Sequence, residues 1–163
     1  MNNSGVELIL NNCDAELRHI ESLIALIGPL NNMVPYFNKY AIIRACGTIE
    51  TSFKTIIVDH CNKRSKIQVK NFLNKKVRDS STNPSYDKII KMLNDFDENW
   101  AEQLKRNLKA LPNYSNILTS LQSLVDTRNE FAHGGNPNVA FADTKRYFTE
   151  TKEIINQMDT IIQ

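Results

Sequence analysis

Apolar residues recur at intervals of three and four along almost the whole chain, and no run alternates apolar and polar positions between hairpin turns. The pattern predicts an all-α protein. A first helix is expected from about Gly5 to Ile27. Ser4 and Glu7 form a capping box before it, and Gly28-Pro29 stops it, because glycine accepts the left-handed cap and proline cannot continue the bonding. A second long helix is expected from near Pro35 to about His60, with Ile42, Ile49, Phe53 and Ile56 as its apolar stripe. Gly47 falls inside it, where glycine costs about 1 kcal/mol relative to alanine. The expected reason is close approach of a neighbouring helix.

The middle of the chain is more broken. A short helix is expected around Ile67 to Asn74, then a loop over Asp79-Ser80-Ser81-Thr82-Asn83-Pro84-Ser85. Asn83 and Pro84 read as the N-cap and first residue of a helix carrying Tyr86, Ile89, Ile90 and Leu93. Further helices are expected from Glu98 to Lys109, from about Asn113–Ser115 to Phe131, and from about Ala142 to Ile162, the last with Phe148, Ile155, Met158 and Ile162 on one face. Two long helices with shorter ones between them suggest an antiparallel bundle. With no repeat and no linker-like tract, residues 1–163 read as one domain.

Composition narrows the setting. The three cysteines, Cys13, Cys46 and Cys61, form no CxxC pair and match no disulfide framework or zinc pattern, which points to a reducing compartment. His60 beside Cys61, with Cys46 and His19 elsewhere, reads as burial or exposure and not as a metal site; no metal and no cofactor is expected. No apolar stretch has the length of a membrane span and the first residues lack the charge pattern of a signal peptide, so a cytoplasmic protein without membrane contact is expected.

The net charge of +2 conceals one segregated segment. Residues 63–78 carry Lys63, Arg64, Lys66, Lys70, Lys75, Lys76 and Arg78 with no acid, +7 against −2 before and −3 after. Such a stripe attracts RNA by neutralising phosphates and releasing counterions, or it is simply a solvated face; both readings stand. Phe72 within it reads as core and not as a platform for a base. Glu50, near Arg44 and Lys54, reads as the partner of Lys54 in the favourable i to i+4 order.

The stretch with most chemistry is Asp126-Thr127-Arg128-Asn129-Glu130-Phe131-Ala132-His133-Gly134-Gly135. Arg128 and His133 are five steps apart, about 140° around an ideal helix, so they do not stack; Asn129 and His133, four apart, do. Arg128 reaches round, or the helix unwinds before Gly134, or the pairing is between subunits. A histidine near a helix C-terminus is also a common partner of the helix dipole, and Asn129 reads equally as an orienting group or a surface cap.

RNEFAHG resembles the R-x4-6-H motif of HEPN domains, and the second helix together with the RN-to-HG ending resembles the RiboL-PSP-HEPN subgroup. The resemblance implies a HEPN-like helical bundle and a metal-independent endoribonuclease that leaves a 2′,3′-cyclic phosphate, with a composite site at a homodimer interface. It places Arg128, His133 and Asn129 in the site. It further implies a toxin–antitoxin or phage-defence setting, with RNA, a second copy of the chain and an antitoxin or defence-system protein as partners. The chemistry agrees with the residue types. An unperturbed histidine titrates near working pH and suits proton transfer, while an arginine fork matches phosphate oxygens. Many toxin members have a tyrosine two residues after the histidine, which an antitoxin modifies; Gly135 stands there in this chain. The alternative is a non-catalytic HEPN-like module that binds RNA, a nucleotide or a protein.

Overall fold

Seven α-helices and one π-helical turn make up the computed structural model, which describes residues 1–163. They are α1 (Ser4–Ile27), α2 (Val34–Asn62), α3 (Ile67–Leu73), the π-helical turn (Asn74–Arg78), α4 (Tyr86–Phe96), α5 (Glu98–Lys109), α6 (Tyr114–Ala132) and α7 (Phe141–Ile161). No helix is long and apolar enough to cross a membrane. The middle of the bundle is α2 and α7: α7 packs on α2, α5 and α6, while α1 covers another face of α2.

The apolar stripes behave as their spacing requires. Ile42, Ile49, Phe53 and Ile56 of α2 and Phe148, Ile155 and Met158 of α7 are all at most 2% exposed. They meet Leu104 and Leu108 of α5 and Leu121 and Leu124 of α6 in one core. Each such side chain contributes about 1.5 to 3 kcal/mol on leaving water, so the all-α bundle follows from the pattern.

Several boundaries move. The cap of α1 is Asn3, whose Oδ1 accepts from the Val6 amide at 3.1 Å; Ser4 is already helical, so the expected Ser4–Glu7 capping box does not form and a single Asn3 cap replaces it. Asn3 wins because its backbone is held from outside, its N–H donating to Asp159 Oδ1 of α7 at 2.9 Å. Pro84 is buried in the loop and α4 starts two residues later, capped at Ser85.

The chain does not leave the helix at Asn74. It widens into a π-turn, closed by the Asp79 amide on Asn74 O at 2.8 Å. The turn keeps Leu73 and Val77 packed against Val58 of α2 in a small second cluster. Glu50 then holds the next loop: its Oε1 accepts from Lys54 Nζ at 2.5 Å and from the Thr82 amide at 2.7 Å, and Lys54 also donates to Ser80 O. The expected Glu50–Lys54 pair therefore exists, nearly buried, and it fastens to α2 the loop that follows the basic segment.

Gly47 departs from expectation. A Cβ built there meets nothing within 4 Å, so no helix of this chain approaches it.

Candidate functional site

The helix that carries RNEFAHG does not unwind early. It runs to Ala132, with His133 as its C-cap, and ends in a Schellman motif: the Gly134 amide donates to Phe131 O at 3.1 Å and the Gly135 amide to Glu130 O at 2.8 Å. Gly134 takes the left-handed conformation at φ +82°, which a side chain opposes. Gly135 is required for a different reason: a Cβ there would lie 2.5 Å from Glu130 Cγ and 2.9 Å from Glu130 O. Both glycines thus serve to hold His133 just past the last turn, with its side chain exposed. Glu130 contributes its carbonyl to this cap.

Arg128 is half-buried one turn earlier, and Asn129 beside it is half-buried too. Arg128 Nη1 donates to Asn129 Oδ1 at 3.1 Å, and no carboxylate pairs with the guanidinium. Asn129 therefore orients the arginine. No hydrogen bond joins Arg128 to His133, so within one chain the two remain separate, as the 140° offset requires.

The N-terminal half of α2 completes this edge. Lys39 Nζ lies 5.5 Å from the centroid of the Phe131 ring, between Arg128 and His133 in the motif. Asn38 Nδ2 donates to Val139 O at 3.1 Å and pins the loop after the glycines, while its Oδ1 is buried without a partner. Arg128 also lies close enough to Cys46 to favour its thiolate. Burial prevails, together with a smaller contribution from Glu50, and pushes that thiol up to about 12. Cys46 is accordingly an inert neighbour. Lys39 and Asn38 were not legible as site residues, because nothing in the spacing connects them to a motif some 90 positions away.

The basic segment lies elsewhere. Arg78 pairs with Asp59 and the π-turn packs on Val58, near the C-terminal end of α2, whereas the motif adjoins Lys39 and Cys46. From Lys39 to Asp59 a helix rises about 30 Å. Lys63, Arg64, Lys66, Lys75 and Lys76 are exposed and Lys70 is half-buried. Arg78 is half-buried in its ion pair. Phe72 is 61% exposed, with Ile67 and Val69 also open, so the expectation of a core phenylalanine is overturned: Leu73 and Val77 take the inward positions of this short helix. At the foot of the segment lies a cleft of about 680 Å³ bordered by His60, Lys63, Arg64 and Trp100. His60 meets Trp100 edge-on at 5.2 Å between centroids, a packing contact.

Comparison with known proteins adds one finding. No curated protein and no solved structure matches the chain. The family model RiboL-PSP-HEPN matches residues 10–163, which include all of the chain from the second turn of α1 onward and the whole motif. The seven-helix bundle, the terminated motif helix and this match agree: the chain belongs to the RiboL-PSP-HEPN family.

Proposed function

We propose that the protein is a metal-independent endoribonuclease that uses Arg128 and His133, with Asn129 orienting the arginine. The observation that carries the reading is the state of the motif. An arginine without a carboxylate partner, a histidine presented beyond a locked helix end and Lys39 share one edge of the molecule, so cationic donors are free where an anion is to be held.

In the reaction the ribose 2′-oxygen attacks the adjacent phosphorus. The 2′-O–P bond forms, the P–O5′ bond breaks, and the products are a 2′,3′-cyclic phosphate and a 5′-hydroxyl. One proton leaves the 2′-hydroxyl and one reaches O5′. His133 performs one of these transfers, and Arg128 binds the phosphate oxygens as negative charge builds on them. A single chain offers one arginine and one histidine that do not meet. A homodimer that apposes two motif edges supplies both proton transfers and two guanidinium groups. Unstacked RNA is the expected substrate, since its sugar and phosphate reach the in-line geometry more easily. Lys63, Arg64, Lys66, Lys70, Lys75 and Lys76 hold RNA electrostatically away from the cut. A toxin or defence role fits this activity.

The test is incubation of purified protein with RNA in EDTA, beside His133→Ala and Arg128→Ala. Wild type is expected to leave cyclic phosphate ends, and each variant to lose about 10² to 10⁴ in rate. Cleavage that survives in both variants sinks the mechanism. Growth arrest on expression, relieved by His133→Ala, is the expected sign of a toxin. The distance between motif and basic segment supports a second reading, a non-catalytic RNA-binding module. Under it the lysine variants lose RNA binding while no form of the protein cleaves.

A further inference from the structure

Leu73 and Val77 take the inward positions of α3 and the π-turn, which leaves the Phe72 ring 61% exposed. A single open ring is ordinary on a protein surface, but the neighbours of this one are not. No carboxylate pairs with any cation of residues 63–76, so that stretch keeps its whole positive charge for a partner. Gln68 and Val69 lie one turn before Phe72 on the same face, and Lys75 and Lys76 one turn after it. Both lysines are exposed, as are Gln68 and Asn71.

At about 100° per residue, the outward side chains come round α3 in the order Ile67, Asn71, Gln68, Phe72, Val69. Two amides therefore divide Ile67 from Phe72, and the open apolar groups form no continuous stripe. A helix that lies in a membrane surface or in a protein groove needs such a stripe. An unpaired base suits the face better. It brings a flat π-surface for the ring, donors and acceptors on its edges for the amides, and phosphates on either side for the lysines.

We infer that this face binds single-stranded RNA through its bases: one unpaired base stacks on Phe72, the Gln68 and Asn71 amides meet its edge, and Lys75 and Lys76 take the flanking phosphates. The inference rests on RNA as the partner in the proposed function, not on its cleavage. It adds a contact that charge alone does not give. Phosphate neutralisation serves single and double strands, whereas a duplex keeps its bases stacked on one another and offers Phe72 nothing. The start of the segment repeats the combination. Lys63 and Arg64 border the cleft of about 680 Å³ together with Trp100 and His60, whose Nδ1 is buried without a hydrogen-bond partner. Cations beside aromatic rings at both ends describe a track for a strand whose bases turn toward the protein. The segment thus selects unpaired RNA at a distance from the motif.

The test is binding, read by fluorescence anisotropy with a 2′-O-methyl oligopyrimidine, which keeps the bases and phosphates of RNA but has no free 2′-hydroxyl to react. Phe72→Ala is expected to bind about 5- to 100-fold more weakly than wild type, with an unchanged salt slope because stacking releases no counterions. Phe72→Tyr keeps a ring and is expected to bind like wild type. Both variants should retain the wild-type helix content, since the ring is open to water. The Lys75→Ser, Lys76→Ser pair is expected to lower the slope instead. A strand of the same length without bases, and the duplex with a complementary strand, are each expected to bind wild type and Phe72→Ala equally. Failure of wild type to bind the oligopyrimidine, equal binding by Phe72→Ala, or an equal loss on the base-free strand overturns the site. So does a Phe72→Ala protein that keeps its RNA affinity but no longer sediments with phosphatidylserine vesicles, which assigns the face to a membrane. Binding that depends on Phe72 in a protein that leaves ordinary RNA intact upholds the site and removes the ribonuclease reading. Cleavage in EDTA without that dependence does the reverse.

Discussion

At the scale of single residues, the motif depends on how its helix is stopped. Gly135→Ala forces a Cβ against the Glu130 carbonyl, and Gly134→Ala demands a left-handed alanine. Each is expected to cost about 1 to 2 kcal/mol in denaturant unfolding, with the greater loss of RNA cleavage in Gly135→Ala, because that variant displaces the cap that carries His133. The cysteines make a second residue-scale prediction. Burial raises all three thiols, Cys46 to about 12, and Cys61 alone is half-open. Peptide mapping after brief iodoacetamide treatment of the native protein should find Cys61 modified ahead of Cys13 and Cys46.

Between elements, two polar ties position α2. Arg44 grips both oxygens of Glu16 at 2.7 and 2.8 Å, and Tyr40 donates to the same carboxylate at 2.9 Å. The Arg44 hydrogen bonds, with a smaller contribution from Tyr40, hold the Glu16 carboxyl below its ordinary value. A depressed carboxyl adds stability above its unfolded value and loses it as pH falls through the folded one. Between pH 7 and about pH 3 the wild-type melting temperature should therefore drop further than that of Glu16→Gln. The effect is small, about 0.5 kcal/mol, since the Glu16 side chain is more than a third open to water. The Glu50–Lys54 tie is different, with side chains 15 and 3% exposed. Lys54→Ala strands a nearly buried carboxylate and should cost about 3 kcal/mol, and faster hydrogen exchange over residues 74–82 would show that the basic segment has come loose.

For the molecule as a whole, the tie of the basic segment at Asp59 lies about 20 Å along α2 from Cys46, beside Arg128, and about 30 Å from Lys39, beside Phe131. Under the proposed function, RNA held by the basic segment would reach the motif as an extended strand or from a partner copy. Binding should weaken as salt rises, with a slope that lessens by about 0.7 for each phosphate contact removed. Serine at Lys66, Lys75 and Lys76 should reduce the slope in a filter-binding or anisotropy titration. Arg78→Ser should change it less, because Asp59 already neutralises that guanidinium.

Much of this was open to a reader of the sequence, and for a physical reason. Helical periodicity is local, so the seven helices, the aliphatic core and the α5 limits were legible from residues within a few turns of one another. So were the glycine stop and the place of Arg128 and His133 at the end of that helix, because a helix end is written in adjacent residues. Contacts across the fold decided the rest. Asp159 of α7 shifted the α1 cap to Asn3, packing on Val58 turned Phe72 outward, and the approach of α2 placed Lys39 and Asn38 at the motif. Gly47 shows the division most clearly: its residue type announced a close approach, and the tertiary structure, by leaving that face of α2 empty, showed that no part of this chain makes it.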